Sequence, residues 1–332
     1  MNSDSLPQTY KALAAKEDTL PRRLVEVPLP KPGQNQILVK MAYAPLNQTD
    51  LLCSDGFYRL TAQSPYFVGL EGSGFIAELG PDVKSNLKIG DKVHVHAFGT
   101  LAQYVLVDSS FVLPIKGDLT LEEAASHMNN PGAAAYMVDL ALKGGHKAVV
   151  STAASSALGK MLVRAFKEKG IKTINTVRKD EYIEDLKKEG ADYVLNSESG
   201  DFEEKLKEIA AKEGATIAFD GINGDFTDKL VKVMPANSTI HAYGYLGGTK
   251  YNIFEEHQFD DGKSVKGFMG GYYFEEFRQK GELDKCFEGI HSKLKTTYKT
   301  EIHKIYPIDE IIEALEYYEK NSSKGKVLIK LN

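Results

Sequence analysis

The sequence predicts an α/β protein that combines a doubly wound parallel sheet with a second, β-rich domain. From residue 147 onward, strand-like and helix-like segments alternate in βαβ order, which is typical of a parallel sheet. Residues 10–115 instead contain short, partly alternating strands between turn signals such as Pro32-Gly33. The chain has 332 residues, 42% of them hydrophobic, and is therefore long enough to bury two cores.

The predicted elements follow one another in a simple order. The β-rich part has strand-like runs at residues 36–43, 72–79, 91–96 and 102–107, and helices then flank Pro131. The parallel sheet has six predicted strands, over residues 147–152, 172–177, 191–196, 215–222, 238–246 and 263–269. Predicted helices lie between them, after Ser156 and over 179–189, 201–213 and 225–234. The chain ends with a helical stretch, a strand at 300–306, a helix over 308–320 and a strand over 326–331. That last strand resembles those of the β-rich part, so we expect the C-terminal segment to return and complete it.

The stretch STAASSALGKMLVRAFKEKG, residues 151–170, has the layout of a phosphate-binding turn. Ala154, Ser156 and Gly159 occupy the three glycine positions of a G-x-G-x-x-G fingerprint, although only the last is glycine. A strand, a tight turn and a helix N-terminus together can hold a pyrophosphate on backbone N–H groups. An ordinary strand–turn–helix is the alternative, but the surrounding βαβ order favours a dinucleotide site. The predicted contacts are Ala154, Ser155, Ser156, Ala157 and Leu158.

The end of the second strand of the sheet indicates which dinucleotide binds. An NAD site favours a carboxylate there, whereas this chain has Arg178 and Lys179 before its first acid. Two cations suit the 2′-phosphate of NADPH, and arginine can form paired hydrogen bonds with it. The alternative is that both cations merely precede the next helix. We predict NADPH as the cofactor, with its nicotinamide end near four residues that follow the fifth and sixth strands, Tyr243, Gly244, Phe268 and Met269.

Composition excludes several classes of partner. The net charge of −5 and a pI near 6.0 give no basic face, so no nucleic-acid partner is expected. No run approaches 18 uninterrupted apolar residues, so no membrane span is expected. Cys53 and Cys286 are too few for a disulfide framework or a four-thiolate zinc site. The first residues lack an apolar stretch and arginine, which favours a cytoplasmic location over secretory or mitochondrial targeting.

Several landmarks in order resemble one family. They are PLNQTDLL (45–52), GFYRL (56–60), VGLEGSGFIAELG (68–80), NNPGAAAYM (129–137), TAASSALGKML (152–162) and AYGYLGG (242–248). With these motifs the chain resembles the zinc-free medium-chain dehydrogenases/reductases, in the quinone oxidoreductase and enoyl reductase branch. The resemblance implies a Rossmann doubly wound parallel sheet, residues 127–269, inserted in a GroES-like β-rich catalytic domain made of residues 1–126 and completed by residues 270–332. It also implies a homodimer.

The chain departs from the zinc alcohol dehydrogenases that it resembles more distantly. Those enzymes carry cysteine where this chain has Asn47, histidine where it has Leu70, and a second cysteine near Asn130. Asn, Leu and Asn cannot supply the thiolate and imidazole ligands of a catalytic zinc. His94 and His96 would share a strand face, where a structural role is favoured because no third donor is evident. No metal site is expected.

Without a metal, hydride transfer needs an acceptor polarised by hydrogen bonds. Tyr58 lies in GFY, which resembles the element in which related enoyl thioester reductases place a catalytic tyrosine; the alternative is that it only lines the substrate cleft. Asn47 matches an asparagine near the nicotinamide of zinc-free members, with a buried turn residue as the alternative. Asn130 is predicted on the nicotinamide side, or else as a helix cap. Asp50 and Glu71 are predicted to be structural.

These observations predict an NADPH-dependent, zinc-independent reductase of quinones or α,β-unsaturated carbonyls, acting on a small-molecule substrate. One alternative is an enoyl-thioester reductase of fatty-acid metabolism, which would need a long channel and a basic entrance. Another is a cofactor-binding protein with little turnover, like the crystallin or RNA-binding members of the wider family. The acidic balance disfavours RNA, and the cleft tyrosine disfavours a purely structural role.

Overall fold

The computed structural model describes residues 6–15, 22–54, 66–83, 86–248, 250 and 261–332. The chain divides into two compact units, the first made of Met1–Asn129 with Lys299–Asn332 and the second of Asn130–Tyr298. The described residues contain sixteen strands: β1 (Thr9–Ala15), β2 (Arg23–Pro28), β3 (Gln36–Pro45), β4 (Tyr66–Phe67), β5 (Glu71–Leu79), β6 (Lys92–His96), β7 (Tyr104–Asp108), β8 (Val112–Pro114), β9 (Ala148–Ser151), β10 (Lys172–Val177), β11 (Tyr193–Asn196), β12 (Ile217–Asp220), β13 (Thr239–Ala242), β14 (Ser264–Gly267), β15 (Ile302–Pro307) and β16 (Lys326–Lys330).

Ten α-helices lie within the same described residues. They are α1 (Gln48–Ser54), α2 (Leu121–Ala125), α3 (Asn129–Lys143), α4 (Ala157–Glu168), α5 (Ile183–Glu189), α6 (Phe202–Glu213), α7 (Asp225–Val233), α8 (Gly271–Gln279), α9 (Leu283–His291) and α10 (Ile311–Asn321). The short α2 begins with a complete capping box, in which Thr120 and Glu123 each accept the other's backbone N–H. Most of these helices lie where the apolar periodicity of the sequence predicts them.

The first unit is built mainly from antiparallel strands. A three-stranded sheet has the order β2-β1-β4, and a seven-stranded sheet has the order β15-β16-β3-β5-β6-β8, with β7 also paired to β3. The C-terminal strand β16 pairs antiparallel with β3, opposite Tyr43, Ala44 and Pro45. The main core of this unit packs inward-facing side chains of β3, such as Ile37, Val39 and Met41, against apolar residues of α10 and β16.

The second unit contains the predicted doubly wound sheet. Its six strands are all parallel and run in the order β11-β10-β9-β12-β13-β14. The chain starts in the middle with β9, winds outward to β11, and then resumes on the other side of β9 with β12. The strand order therefore reverses between β9 and β12, and ligands of such sheets bind beyond the carboxyl ends of the strands at this point.

The compact units divide the chain after Asn129 and after Tyr298. The predicted domain limits, after residue 126 and at residue 270, stay a prediction. Within the second unit, α8 packs on α3, where the ring of Phe274 lies against Gly132 and leaves no room for a Cβ atom. The Lys143 ammonium also contacts Glu276 at 3.1 Å.

Candidate functional site

The turn between β9 and α4 holds the fingerprint residues of the second unit. Ser156 is the N-cap of α4, and its hydroxyl accepts a hydrogen bond from the Gly159 N–H at 3.1 Å. Ala154 and Leu158 are buried, while Ser155, Ser156 and Ala157 are half-buried. The other N–H groups of the first turn have no acceptor within the helix and can bind a phosphate. The structure therefore brings all five predicted fingerprint contacts together in one turn.

Two backbone features fix the shape of this turn. Ala153 has a φ of 49°, in the left-handed region that alanine adopts at a strain of about 1–2 kcal/mol. Next to it, the Ala154 N–H donates to the Thr176 carbonyl of β10 at 3.1 Å. A Cβ atom on Gly159 would lie 2.5 Å from the Ala154 Cα, so α4 packs against the turn as closely as the backbone allows.

Asp220 anchors the turn to the opposite side of the strand-order reversal. Its fully buried carboxylate accepts hydrogen bonds from the Thr152 hydroxyl at 2.8 Å and the Thr227 hydroxyl at 2.6 Å. The Thr152 hydroxyl in turn accepts from the Gly221 N–H at 2.8 Å. Asp220 was not predicted from the sequence, where its signal was an acid at the end of a buried strand beside the strand-order reversal.

Arg178 and Lys179 follow β10 at the same edge of the sheet as the fingerprint turn. Asn175 of β10 pairs with Ser151 of β9, so the carboxyl ends of the two strands lie side by side at one edge of the sheet. The Arg178 side chain is exposed and has no ion-pair partner among the described residues. Lys179 is 67% exposed, and its ammonium lies 3.5 Å from the Glu181 carboxylate. Arg178 is thus the freer of the two cations for a phosphate.

A cavity of about 330 Å³ lies beyond the carboxyl end of β11. Three carboxylates line it, those of Asp180, Glu198 and Asp201, together with Lys205. The Asp180 carboxylate accepts from the Asn196 amide at 2.8 Å, and the Lys205 ammonium pairs with Asp201 at 2.7 Å. Because its walls carry more acid than base, this cavity is a poor place for a phosphate group.

The loops after β12 and β13 approach each other closely. The ring of Tyr243 covers Gly221, where a Cβ atom would lie 2.7 Å from the tyrosine hydroxyl oxygen. A Cβ atom on Gly244 would lie 2.7 Å from the Gly221 carbonyl carbon. The buried Tyr243 hydroxyl has no hydrogen-bond partner within the described residues. Burial raises its pKa well above the usual value, so the group remains a protonated donor.

The other predicted residues on this side are less constrained. The Phe268 N–H donates to the Ala242 carbonyl at 2.8 Å, and the Phe268 ring centroid lies 6.3 Å from that of Tyr243. The side chain of Met269 is 49% exposed. Asn130 is half-buried in the first turn of α3. Tyr243, Gly244 and Phe268 therefore form one local group after the fifth and sixth strands.

The first unit contains a buried polar cluster around Asn47, which is only 1% exposed. The Asn47 amide nitrogen donates to the Glu71 carboxylate at 3.3 Å, and the Lys326 ammonium donates to the Asn47 amide oxygen. The Asn47 N–H donates to the Asp50 carboxylate at 2.8 Å. Both hydrogen-bonding ends of the Asn47 side chain are thus engaged. Lys326 was not predicted as a functional residue, because a lysine at the start of an apolar strand is typical of the protein surface.

Burial dominates the ionisation of this cluster. It raises the pKa of Asp50 to about 7, against the opposing effects of the Asn47 N–H and Lys326. It also raises the pKa of Glu71 and lowers the pKa of Lys326. Several buried ionisable groups in contact destabilise the folded protein unless they are paired and hydrogen-bonded. Ionisable groups with strongly shifted pKa values occur most often at functional sites.

His94 and His96 lie on β6, as expected from their spacing. The His94 Nδ1 donates to the Ala124 carbonyl at 3.0 Å, and the His94 ring centroid lies 4.5 Å from that of His127, a residue that was not predicted from the sequence. Burial lowers the pKa of both His94 and His96 to about 4. Both imidazoles are therefore neutral at physiological pH. Tyr58 lies outside the described residues.

No helix within the described ranges is long and apolar enough to cross a membrane.

Comparison with known proteins agrees with this architecture. The family profile described as the alcohol dehydrogenase GroES-like domain matches residues 33–117, and the one described as zinc-binding dehydrogenase matches residues 157–284. A mitochondrial enoyl-[acyl-carrier-protein] reductase of Caenorhabditis elegans is 35% identical over 176 residues, which cover 51% of this chain and 51% of that protein. The chain thus aligns with about half the length of this relative.

Two solved structures share the fold over the whole chain. A Mesorhizobium loti protein assigned as an NADPH:quinone reductase has a TM-score of 0.88 and 26% identity, covering 98% of this chain and 99% of its own. Escherichia coli quinone oxidoreductase, solved with NADPH, has a TM-score of 0.82 and 20% identity, covering 96% and 99%. The predicted combination of a Rossmann sheet with a GroES-like domain is confirmed. Together, the two matched profiles, the relative and the shared fold show that this chain carries a GroES-like domain and a dehydrogenase-type nucleotide-binding domain, and that it is similar to quinone oxidoreductases and enoyl reductases.

Proposed function

We propose that this protein is an NADPH-dependent, zinc-independent reductase of quinones or α,β-unsaturated carbonyl compounds. The observation that carries the proposal is the β9–α4 turn, whose free N–H groups lie at the strand-order reversal of a six-stranded parallel sheet. Ser156 caps the helix from one side, and Asp220 holds the turn from the other. This arrangement suits the pyrophosphate of a dinucleotide.

NADPH is the dinucleotide that the neighbouring side chains favour. The adenosine end would lie over β10, where Arg178 is exposed and has no competing carboxylate partner among the described residues. Lys179 contributes less, because Glu181 partly neutralises it. The nicotinamide end would lie beyond β12 and β13, where the protonated Tyr243 hydroxyl can donate a hydrogen bond. Met269 and Asn130 are further candidates at that end.

Zinc independence is proposed from the chemistry of the available side chains. Asn47 stands where the zinc enzymes have a cysteine thiolate, and its amide is already bound to Lys326 and Glu71. Leu70 offers no ligand atom in place of the histidine, and Asn130 offers no thiolate. A cation at this place would have to compete with the Lys326 ammonium for the same oxygen. Elemental analysis together with activity before and after chelation tests this part of the proposal.

Bound NADPH would supply a hydride to the β-carbon of the acceptor. Tyr58 would then donate a hydrogen bond, or a proton, towards the oxygen that gains negative charge. Asn47 would support the reaction from within the buried cluster, because its amide has little surface of its own. The proposed homodimer, the small-molecule substrate and the cytoplasmic location come from the family resemblance and the composition, and light scattering and cell fractionation test the first and last.

Reduction of an enoyl thioester is the second candidate. The relative named as an enoyl-[acyl-carrier-protein] reductase favours this candidate. Reduction of an enoyl thioester and reduction of an α,β-unsaturated carbonyl compound both act on a C=C bond conjugated to a carbonyl group. A protein that binds the cofactor with little turnover is the third. One substrate panel separates the three, comparing quinone, enone, enal, enoyl-CoA and alcohol with NADPH and NADH. Preference for enoyl-CoA selects the second candidate, and tight NADPH binding without turnover selects the third.

Substitution of Tyr58 by phenylalanine tests the proposed chemistry, because it keeps the ring and removes the donor. If the hydroxyl acts in the transition state, kcat should fall by roughly 10²-fold while NADPH affinity is unchanged. If the tyrosine only shapes the pocket, KM changes and kcat does not. An unchanged kcat, with chemistry shown to be rate-limiting, removes Tyr58 from the mechanism.

A further inference from the structure

The hydrogen bonds of the buried cluster in the first unit form a directed chain that begins at Lys326. This lysine is the first residue of β16, and its side chain is only 3% exposed. Its ammonium can only donate, so the Asn47 group that faces it must be the amide oxygen. The Asn47 amide nitrogen then faces Glu71, which accepts at 3.3 Å. The cation therefore determines the orientation of the Asn47 amide.

Glu71 also binds two backbone N–H groups. Its Oε2 accepts hydrogen bonds from the N–H groups of Met128, at 2.7 Å, and of Asn129, at 3.0 Å. Asn129 is the first residue of α3, and these two N–H groups are among those that a helix start leaves without internal acceptors. One carboxylate oxygen thus fixes the start of α3, and the other holds Asn47.

The electrostatics of the cluster require a cation. The Asp50 and Glu71 carboxyl groups are both fully buried, and Lys326 attracts both of them. Tyr318 also faces Asp50, but it is neutral because burial raises its pKa. Removal of the ammonium would leave the His127 imidazole, whose Nδ1 lies 4.0 Å from the Glu71 Oε2, as the other basic group beside the two buried carboxyl groups. One of these carboxyl groups would then lose its charge or its hydrogen bonds.

We propose that Lys326 is a positioning residue for hydride transfer, acting through Asn47 and Glu71 to hold the Asn47 amide and the first residues of α3 in a single arrangement. The inference rests on the proposed function, because Asn47 is one of its predicted catalytic residues. It adds to that function a charged residue on the last strand of the chain, 279 positions away from Asn47 in sequence.

Two variants and a matched control test the proposal. Lys326→Met removes the charge at similar length, Lys326→Arg keeps a cation and a donor, and Lys330→Met changes an exposed lysine on the same strand. We expect Lys326→Met to lower kcat for the preferred acceptor at least tenfold while the dissociation constant of NADPH changes less than twofold. Lys326→Arg should recover most of the loss, and Lys330→Met should match the parent protein.

Amide hydrogen exchange at Met128 and Asn129 gives a second readout that needs no turnover. Their protection should decrease in Lys326→Met and return in Lys326→Arg. An unchanged kcat in Lys326→Met overturns the proposal, and so does equal damage in the Met and Arg variants, because a cation would then not be what matters. If Lys326→Met does not fold, Lys326→Gln, which keeps a neutral donor, is measured with the same expectations. If the parent protein reduces no acceptor, the proposed function has failed, and exchange alone decides whether the chain of hydrogen bonds depends on Lys326.

Discussion

Substitution of Ser156 by aspartate separates the two roles of this residue at the start of α4. Aspartate is as good an N-cap as serine and carries a negative charge that the positive end of the helix dipole favours. The hydrogen bond that Ser156 accepts from the Gly159 N–H can therefore be kept. We expect the free energy of unfolding to stay within about 0.5 kcal/mol of that of the parent protein. The same carboxylate would lie where the pyrophosphate is proposed to bind.

The expected loss of affinity follows from Coulomb repulsion. Two unit charges about 5 Å apart, at an effective dielectric constant of about 20, repel each other by about 3 kcal/mol. A penalty of that size weakens binding by roughly 10²-fold. Ser156→Ala should show the opposite pattern, because loss of the cap destabilises the helix by about 1 kcal/mol while leaving the anion site free of charge.

The two quantities are measured independently. NADPH binding is titrated through the fluorescence of the reduced nicotinamide, and unfolding in urea is followed by circular dichroism because the chain has no tryptophan. A Ser156→Asp protein that keeps its stability and loses NADPH supports the assignment of the turn. A Ser156→Asp protein that binds NADPH like the parent would place the pyrophosphate elsewhere and refute the reasoning.

Three further predictions concern the cofactor preference, the strained turn and the buried acid. Arg178→Ala with Lys179→Ala should weaken NADPH binding by about 1.5–3 kcal/mol and leave NADH binding unchanged; equal affinities for both cofactors in the parent protein would contradict this. Ala153→Gly should raise the free energy of unfolding by up to about 1 kcal/mol, because glycine adopts a φ of 49° without strain, and a destabilised variant would count against that reasoning. Burial raises the pKa of Asp50 from 3.8 to about 7, so the folded protein retains a proton that the unfolded chain releases, and the stability due to this group is lost as the pH rises from about 4 through 7. Asp50→Asn should remove that part of the pH dependence of urea unfolding between pH 5 and pH 8, and an unchanged pH slope would show that Asp50 is not its source.

The sequence predicted the second unit well because its signals are local. Each strand of the parallel sheet is a short apolar run between helix patterns, and all six predicted strands occur in the sheet. The βαβ order then restricts the topology to very few solutions. The helix predicted over 179–189 begins as a 3₁₀ turn at Asp180–Tyr182 and becomes α-helical only at Ile183, a detail that periodicity does not resolve.

Residues that act through long-range contacts were not predictable in this way. Lys326 meets Asn47 only because β16 returns to pair with β3, and nothing in the KVLIKL segment distinguishes its buried lysine from its exposed one. Asp220 looked like the end of a strand, and only the pairing of β12 with β9 brings it to Thr152. The contact of Phe274 in α8 with Gly132 in α3 likewise joins residues far apart in the sequence. The sequence shows the residue type at each of these positions, but it does not show which distant residue that side chain contacts.

The same distinction explains how the fingerprint turn can exist with two of its three glycines replaced. A glycine is needed where φ is positive or where a Cβ atom has no room, and Ala154 and Ser156 meet neither condition, since the φ of Ser156 is −68° and Ala154 is not among the described residues with positive φ. The positive φ falls on Ala153 instead, outside the three fingerprint positions, and the hydrogen bonds of Thr152 and Ala154 on either side hold it there. Gly159 alone has no space for a side chain, because α4 lies against the Ala154 backbone. The one glycine that this chain keeps is therefore the one that the packing of α4 against the turn requires, and the turn forms without the other two.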